Sequence, residues 1–175
     1  TENDNRLSEL RKLSRDYRMI IIAGAPIRMG GKLHIGSFVI QPDNTVRIYT
    51  KHYLHNGEEV AFEASKEHNP IINMNDELLS LAICYDIENT DHIEAACQNK
   101  STFYVASLFY TKAGIEGGHV TLGAYAKKHK ISILMSDFCG KSYSINAGGR
   151  SAFWNHSGNV VESLDEESQG LLIVE

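Results

Sequence analysis

Short apolar runs, each closed by a turn or passing into a helical pattern, govern what this chain can fold into. Met19-Ile20-Ile21-Ile22-Ala23-Gly24 is one such run. Leu78 to Cys84, Thr102 to Phe109, and Ile131-Ser132-Ile133-Leu134-Met135 are others. Runs of this length suit strands buried within a sheet. A membrane span needs about 18 or more apolar residues in a row, and none occurs here.

The segments between the runs complete the pattern. Leu7, Leu10, Leu13 and Tyr17 recur near helical spacing among charged residues and predict an amphipathic helix. Pro26 and Gly30-Gly31 break the chain after the first run. Lys32 to Ile40 and Thr45 to Tyr49 flank the turn Gln41-Pro42-Asp43-Asn44 as an antiparallel hairpin. A polar loop runs from about His52 to Asn69. Asp91, with Glu94 three residues on, predicts a helix cap for a segment ending near Gln98. Gly114 to Gly118 reads as a loop, and Val120 to His129 as a helix whose last turn is basic. Ser151–Asn155 and Asn159–Ser163 form a second hairpin, and Gly170 to Glu175 reads as a last strand. Strand–helix–strand units mixed with hairpins predict an α/β layered domain with a mixed sheet.

Composition narrows the function. The 175 residues suit one domain, spanning 1–175, with 42% apolar and 22% charged residues. A net charge of −5 argues against nucleic acid, whose phosphates require a positive surface. Three widely spaced cysteines, Cys84, Cys97 and Cys139, do not make a disulfide framework. With no secretion signal, a reducing cytoplasm is the expected compartment. Eight histidines invite a metal site, but none of them sits at ligand spacing, so no metal is expected.

The candidates for chemistry lie at the ends of strands. Cys84 closes an apolar strand before a polar loop and a helix, the position where open α/β sheets build their sites. A buried structural cysteine is the plainer reading of that residue alone. Lys51 ends the second hairpin strand, and Glu58 and Glu59 follow in a glycine-containing loop. Alone, each of these charges reads as solvated.

Taken together they carry more. Lys51-His52-Tyr53-Leu54 leading to Gly57-Glu58, then Ile83-Cys84-Tyr85-Asp86, resembles the nitrilase superfamily of carbon–nitrogen hydrolases. Ala23-Gly24-Ala25-Pro26 and the late hairpin Gly149-Arg150-Ser151-Ala152-Phe153 with Ser157-Gly158-Asn159-Val160-Val161 agree in order. The resemblance implies a four-layer α-β-β-α sandwich and a Glu–Lys–Cys triad without cofactor. By it, Cys84 is the nucleophile that forms a thioester with a small linear amide, an acid ω-amide or an N-carbamoyl compound. Lys51 supplies a cation, Glu58 orients it, and the Tyr85 N–H helps hold the oxyanion. Phe103, Tyr104, Phe109 and Tyr110 read as core aromatics, and the two near the strand end, Phe109 and Tyr110, are also placed to line a substrate pocket. Glu59 is a rival to Glu58, one residue away. A homodimer or larger homo-oligomer is also implied.

Some positions depart from the family's pattern. Asn89-Thr90-Asp91 stands where the family has Phe-Pro-Glu, and Ser136-Asp137 where an asparagine is common. The general-base glutamate of the family precedes a helix like Leu7–Tyr17, and neither Glu2 nor Glu9 matches it. With Thr1 in place of a starting Met, the expectation is a domain lacking its first strands and its base, inactive alone and with apolar surface uncovered. The alternative is a catalytically silent member acting as a binding or assembly subunit.

Overall fold

The computed structural model describes residues 4–142 and 144–174. Thr1, Glu2 and Glu175 lie outside that range. The chain divides into two compact units, residues 1–70 and 71–175.

The first unit is one helix on one sheet. A single 3-10 turn, Asn5–Leu7, leads into α1, Ser8–Tyr17. The Asp4 side chain accepts the Arg6 N–H at the turn's start. Arg18, in the left-handed region at φ 53°, ends the helix. The buried face is Leu7 and Leu10, with Ser14 fully buried and donating its hydroxyl to Met19 O at 2.7 Å. Leu13 and Tyr17, expected on that face, are instead 41% and 68% exposed. Ser14, one residue from Leu13, takes the inward position, so the stripe turns differently from the leucine spacing.

Under α1 lie β1 (Ile21–Met29), β2 (Lys32–Ile40) and β3 (Val46–Thr50), antiparallel in that order. β1 extends beyond its apolar run and through Pro26. Pro26 pairs with Ile35 on a strand that is the edge of this sheet, where a missing N–H interrupts no second ladder. Gly30 and Gly31 do not merely break the chain. Met29 pairs with Lys32, so the two glycines are the whole hairpin loop, both at positive φ (54° and 81°) as a primed turn demands. Ile27, Phe38 and Ile40 form the core with Leu7.

The second unit holds a six-stranded mixed sheet in the order β11-β10-β7-β6-β5-β4. The strands are β4 (Ile72–Met74), β5 (Glu77–Ile83), β6 (Phe103–Leu108), β7 (Ser132–Asp137), β10 (Ala152–Trp154) and β11 (Val160–Ser163). β5, β6 and β7 are parallel neighbours; the outer pairings are antiparallel. A small separate ladder joins β8 (Lys141–Ser142) and β9 (Ile145–Asn146). Helices α2 (Thr90–Gln98) and α3 (Ile115–His129) connect the parallel strands. Ile93, Ala96, Ile115, Leu122 and Ala126 of these helices share one core with Ala82, Tyr104, Ala106, Ile133, Met135 and Trp154 of the sheet.

Three expectations are corrected here. α3 begins at Ile115, so the stretch read as a loop is its first turn. Glycine lowers helix propensity by about 1 kcal/mol relative to alanine, which masks the start in the sequence. The cap of α2 is Asn89, in extended conformation, with Asp91 inside the first turn. Residues 170–174 form no strand, and Leu171 and Ile173 are exposed. A strand needs a partner, and β11, the sheet's last strand, is itself exposed along its length.

Both units are mixed helix-on-sheet pieces, the component that an α-β-β-α fold uses twice. Among the described residues no helix is long and apolar enough to cross a membrane.

Candidate active site

In the first unit, Lys51 follows β3 directly and is delivered inward. The Lys51 N–H donates to Ile35 O at 2.8 Å, which continues the pairing one residue beyond the strand. The side chain is 1% exposed. Such burial of an ammonium demands a counter-charge, and Glu58 provides it. Lys51 Nζ lies 2.9 Å from Glu58 Oε1 and 2.7 Å from Oε2. Glu58 Oε2 also accepts the His55 N–H at 2.8 Å. The carboxylate is therefore held on both sides.

Local sequence explains the reach. Gly57 sits at φ 96°, which turns the chain into the 3-10 turn Glu58–Val60. Glu59, the rival one residue on, is exposed and accepts the Gly57 N–H at 2.7 Å. The geometry thus separates the two glutamates: Glu58 meets the lysine and Glu59 caps the turn.

In the second unit, Cys84 follows β5 directly and opens the 3-10 turn Cys84–Glu88. Its φ is +49°, a conformation that residues with a side chain adopt at a cost of about 1–3 kcal/mol and that clusters at functional sites. The turn is braced from beneath. Asp86 is fully buried, and its Oδ2 accepts the Ile83 N–H at 2.9 Å. His92 of α2 lies 3.9 Å from the same oxygen, and its Nδ1 shares a 2.8 Å hydrogen bond with the Tyr104 hydroxyl. Sequence places Tyr104 in the core but does not point to its pairing with His92. Their only signal was a polar pair at positions that periodicity buries. Tyr85 comes next in the turn, so its N–H lies at the turn's N-terminal end, where backbone donors point outward from the turn.

The parallel register sets the neighbours of Cys84. Ile83 pairs with Ser107, Ser107 with Ser136, and Leu108 with Asp137. The ends of three adjacent strands therefore carry Cys84, the Phe109-Tyr110 pair and Asp137 along one carboxyl edge. Phe109 is partly exposed and stacks on Phe138, with ring centroids 5.9 Å apart.

Tyr110 is the most constrained residue of this edge. Its N–H donates to Asp137 Oδ1 at 2.9 Å, and its carbonyl accepts the Gly148 N–H at 2.7 Å. Its ring lies on Gly118 of α3, where a Cβ would overlap it. That packing explains why α3 carries glycine in its first turn. The hydroxyl points to Glu88, 3.4 Å from Oε1. Burial chiefly, then the nearby charges of Glu88 and Cys84, push the phenol well above its ordinary pKa.

Asp137 is 9% exposed, and its Oδ2 has no hydrogen-bond partner. Desolvation raises its carboxyl to about 6 against the N–H donors of Tyr110 and Phe138. A cavity of about 380 Å³ lies beside it, lined also by Ser107, Ser136, Arg150 and Asp165, but not by Cys84 or Tyr110. All three cysteines are free thiols, and burial pushes that of Cys97 up. No group of three His, Cys, Asp or Glu among the described residues could hold a metal ion.

Comparison with known proteins bears on this arrangement. The carbon-nitrogen hydrolase family model matches residues 1–175. No curated protein sequence matches significantly. Among solved structures, the NitN amidase from Nesterenkonia sp. AN1 superposes with a TM-score of 0.80 at 23% identity, covering 91% of this chain and 64% of that one. A variant of the Nesterenkonia amidase with the acetamide moiety of fluoroacetamide added covalently at its active-site cysteine matches at 0.79 and 23%, covering 91% and 62%. A cysteine-to-alanine variant in complex with butyramide matches at 0.79 and 22%, with the same coverage. At these identities the likeness establishes the fold, that of nitrilase-type amidases. The chain spans a little under two thirds of the length of these structures.

Proposed function

The chain belongs to the carbon-nitrogen hydrolase family, and from that premise we propose that it hydrolyses a small linear amide through a thioester on Cys84. In the first step Cys84 Sγ attacks the amide carbonyl. The C–S bond forms, the C–N bond breaks, and the amine or ammonia leaves with a proton. Water then attacks the thioester, the C–S bond breaks, and the acid departs as the thiol is restored.

Each residue type has a physical reason. A cysteine thiol is only a few per cent ionised at neutral pH, so it needs a cation or a base to act. Lys51 is the cation in this reading, and Glu58 keeps it charged and fixed in place. The tetrahedral intermediate carries negative charge on oxygen, which Lys51 and the Tyr85 N–H stabilise. Phe109 and Tyr110 border the acyl group. No glutamate of residues 1–175 is assigned the general-base role. The protein works in the cytoplasm as a homodimer or larger homo-oligomer.

The observation that carries the proposal is the buried Lys51–Glu58 pair together with a cysteine at positive φ after a parallel strand. Solvated charges and a structural cysteine need neither feature. The nitrilase-type amidase structures, one with the acetamide moiety of fluoroacetamide added at its active-site cysteine and one with butyramide bound, support the reaction class. The test is ammonia release from small amides by the full-length protein. Wild type should release ammonia and Cys84→Ala should not. Release that survives in Cys84→Ala overturns the assignment, and a wild type inactive on every amide favours a silent binding subunit.

A further inference from the structure

Glu88 ends the nucleophile's own turn. Four residues of 3-10 helix rise about 8 Å, so its Cα stands roughly that far along the turn from that of Cys84. Glu88 is exposed, and its contact in this unit is the Tyr110 hydroxyl. None of the ion pairs described in this unit involves Glu88. Two cations of this unit have other carboxylate partners. Arg150 is bound to Glu116 at 2.8 Å, and Lys112 lies 3.9 and 3.7 Å from Glu166 and Glu167.

A carboxylate at this place has a physical cost. It disfavours the thiolate, and it repels the oxyanion that forms when the thiolate attacks. The Tyr110 hydroxyl donates toward it but carries no charge. A substrate that brings a positive charge to Glu88 removes that cost, and does so only when bound. The spacing leaves room for a few methylenes between the amide carbonyl and that charge. A substrate carrying a carboxylate at the same distance adds to the repulsion.

Resting on the amidase reading, we propose that Glu88, with the Tyr110 hydroxyl beside it, is a specificity determinant that selects amides whose acyl chain ends in an ammonium group. Tyr110 is the fixed member. Its backbone is bonded on both sides and its ring is seated on Gly118, so the hydroxyl has little freedom to move away from Glu88. The carboxylate is the charged member and sets the sign of the preference.

Three amides of matched length test this: γ-aminobutyramide, which is cationic; valeramide, which is neutral; and glutaramate, which is anionic. Full-length wild type should give kcat/KM values in that descending order. Cationic over neutral should be about tenfold or more, the worth of one charge-assisted contact. In Glu88→Gln the cationic-to-neutral ratio should fall by about that factor. Glu88 is exposed, so the substitution is not expected to prevent folding. The wild-type preference alone gives a second reading, since it should shrink as ionic strength rises.

A wild type that hydrolyses valeramide through Cys84 but does not favour γ-aminobutyramide overturns the specificity claim and leaves the amidase reading intact. An equal fall for all three amides in Glu88→Gln also overturns it, because Glu88 would then only hold Tyr110. If no amide is turned over, the amidase reading fails, and calorimetric binding of the three amides to wild type still decides between ordered and equal affinity.

Discussion

Lys51 Nζ lies within 2.9 Å of both carboxylate oxygens of Glu58, in a side chain that is 1% exposed. A lysine so buried is paired with that carboxylate, which is itself fixed by the His55 N–H. Glu58→Gln keeps an acceptor in place and removes the charge. Hydrogen bonds to charged groups are worth about 1.5–3 kcal/mol, so stability should fall by about that amount in chemical denaturation. Amide hydrolysis should fall by about a hundredfold or more, the size of losing a well-placed charge at an oxyanion. Glu59→Gln should leave both nearly unchanged, because Glu59 caps its own turn. Equal losses for the two variants contradict the separation of their roles.

The ring of Tyr110 on Gly118 makes a second prediction. Gly118→Ala pushes a methyl into the ring and should destabilise by about 1–3 kcal/mol, as overpacking does. It should also lower kcat/KM, because the hydroxyl near Glu88 and Cys84 moves. Gly117→Ala is the control. A Cβ there meets nothing within 4 Å, so helix propensity alone should raise stability by about 0.5–1 kcal/mol. Thermal melts of the two variants should move in opposite directions.

Asp137 predicts a pH effect of definite sign. Its carboxyl is raised from 3.8 to about 6, so the folded state binds its proton more tightly than the unfolded chain. Its contribution to stability is complete below about pH 4 and is lost as pH rises through about 6. A rise of that size corresponds to about 3 kcal/mol at most. Asp137→Asn keeps an oxygen for the Tyr110 N–H and has no charge to bury. Its stability at neutral pH should exceed wild type, and the difference should vanish near pH 4. A variant less stable than wild type at pH 7 shows that the carboxylate is compensated.

Thiol reactivity gives a fourth outcome. Burial and the charge of Glu94 push the Cys97 thiol up, so it should alkylate slowly. Cys84, activated as proposed, should react with iodoacetamide at least about tenfold faster than Cys97 or Cys139, since the thiolate is the attacking species. Peptide mapping of native protein at short times gives the rates. Equal labelling of all three contradicts an activated Cys84.

Much of this architecture is legible in the residues before any coordinates. The apolar runs ending at Cys84, Phe109 and Met135 mark the three parallel strands; β5 is buried along most of its length, and β6 and β7 alternate buried with half-buried or exposed positions. What resists reading is tertiary. Gly117 and Gly118 look like a loop until Tyr110 is found lying on the second of them. The leucine spacing of α1 points at Leu13, yet Ser14 takes the buried place because its hydroxyl reaches Met19 O. The terminal segment 170–174 has β-prone residues but no neighbouring strand to pair with. In the candidate site, Lys51, Glu58 and Cys84 are readable as ordered motifs. The brace of Asp86, His92 and Tyr104, the positive φ of Cys84 and the approach of Tyr110 to Glu88 depend on contacts across elements. No local spacing encodes them.

Mass spectrometry of the full-length protein shows whether Cys84 carries the acyl group. Protein mixed with a small amide and quenched in acid within the first turnovers should gain the mass of the acyl group. Proteolysis should place that mass on the peptide containing Cys84, and hydroxylamine should remove it, as it does a thioester. Cys84→Ala should gain nothing. Acylation of another residue, or steady ammonia release with an unmodified Cys84 peptide at every quench time, contradicts the account.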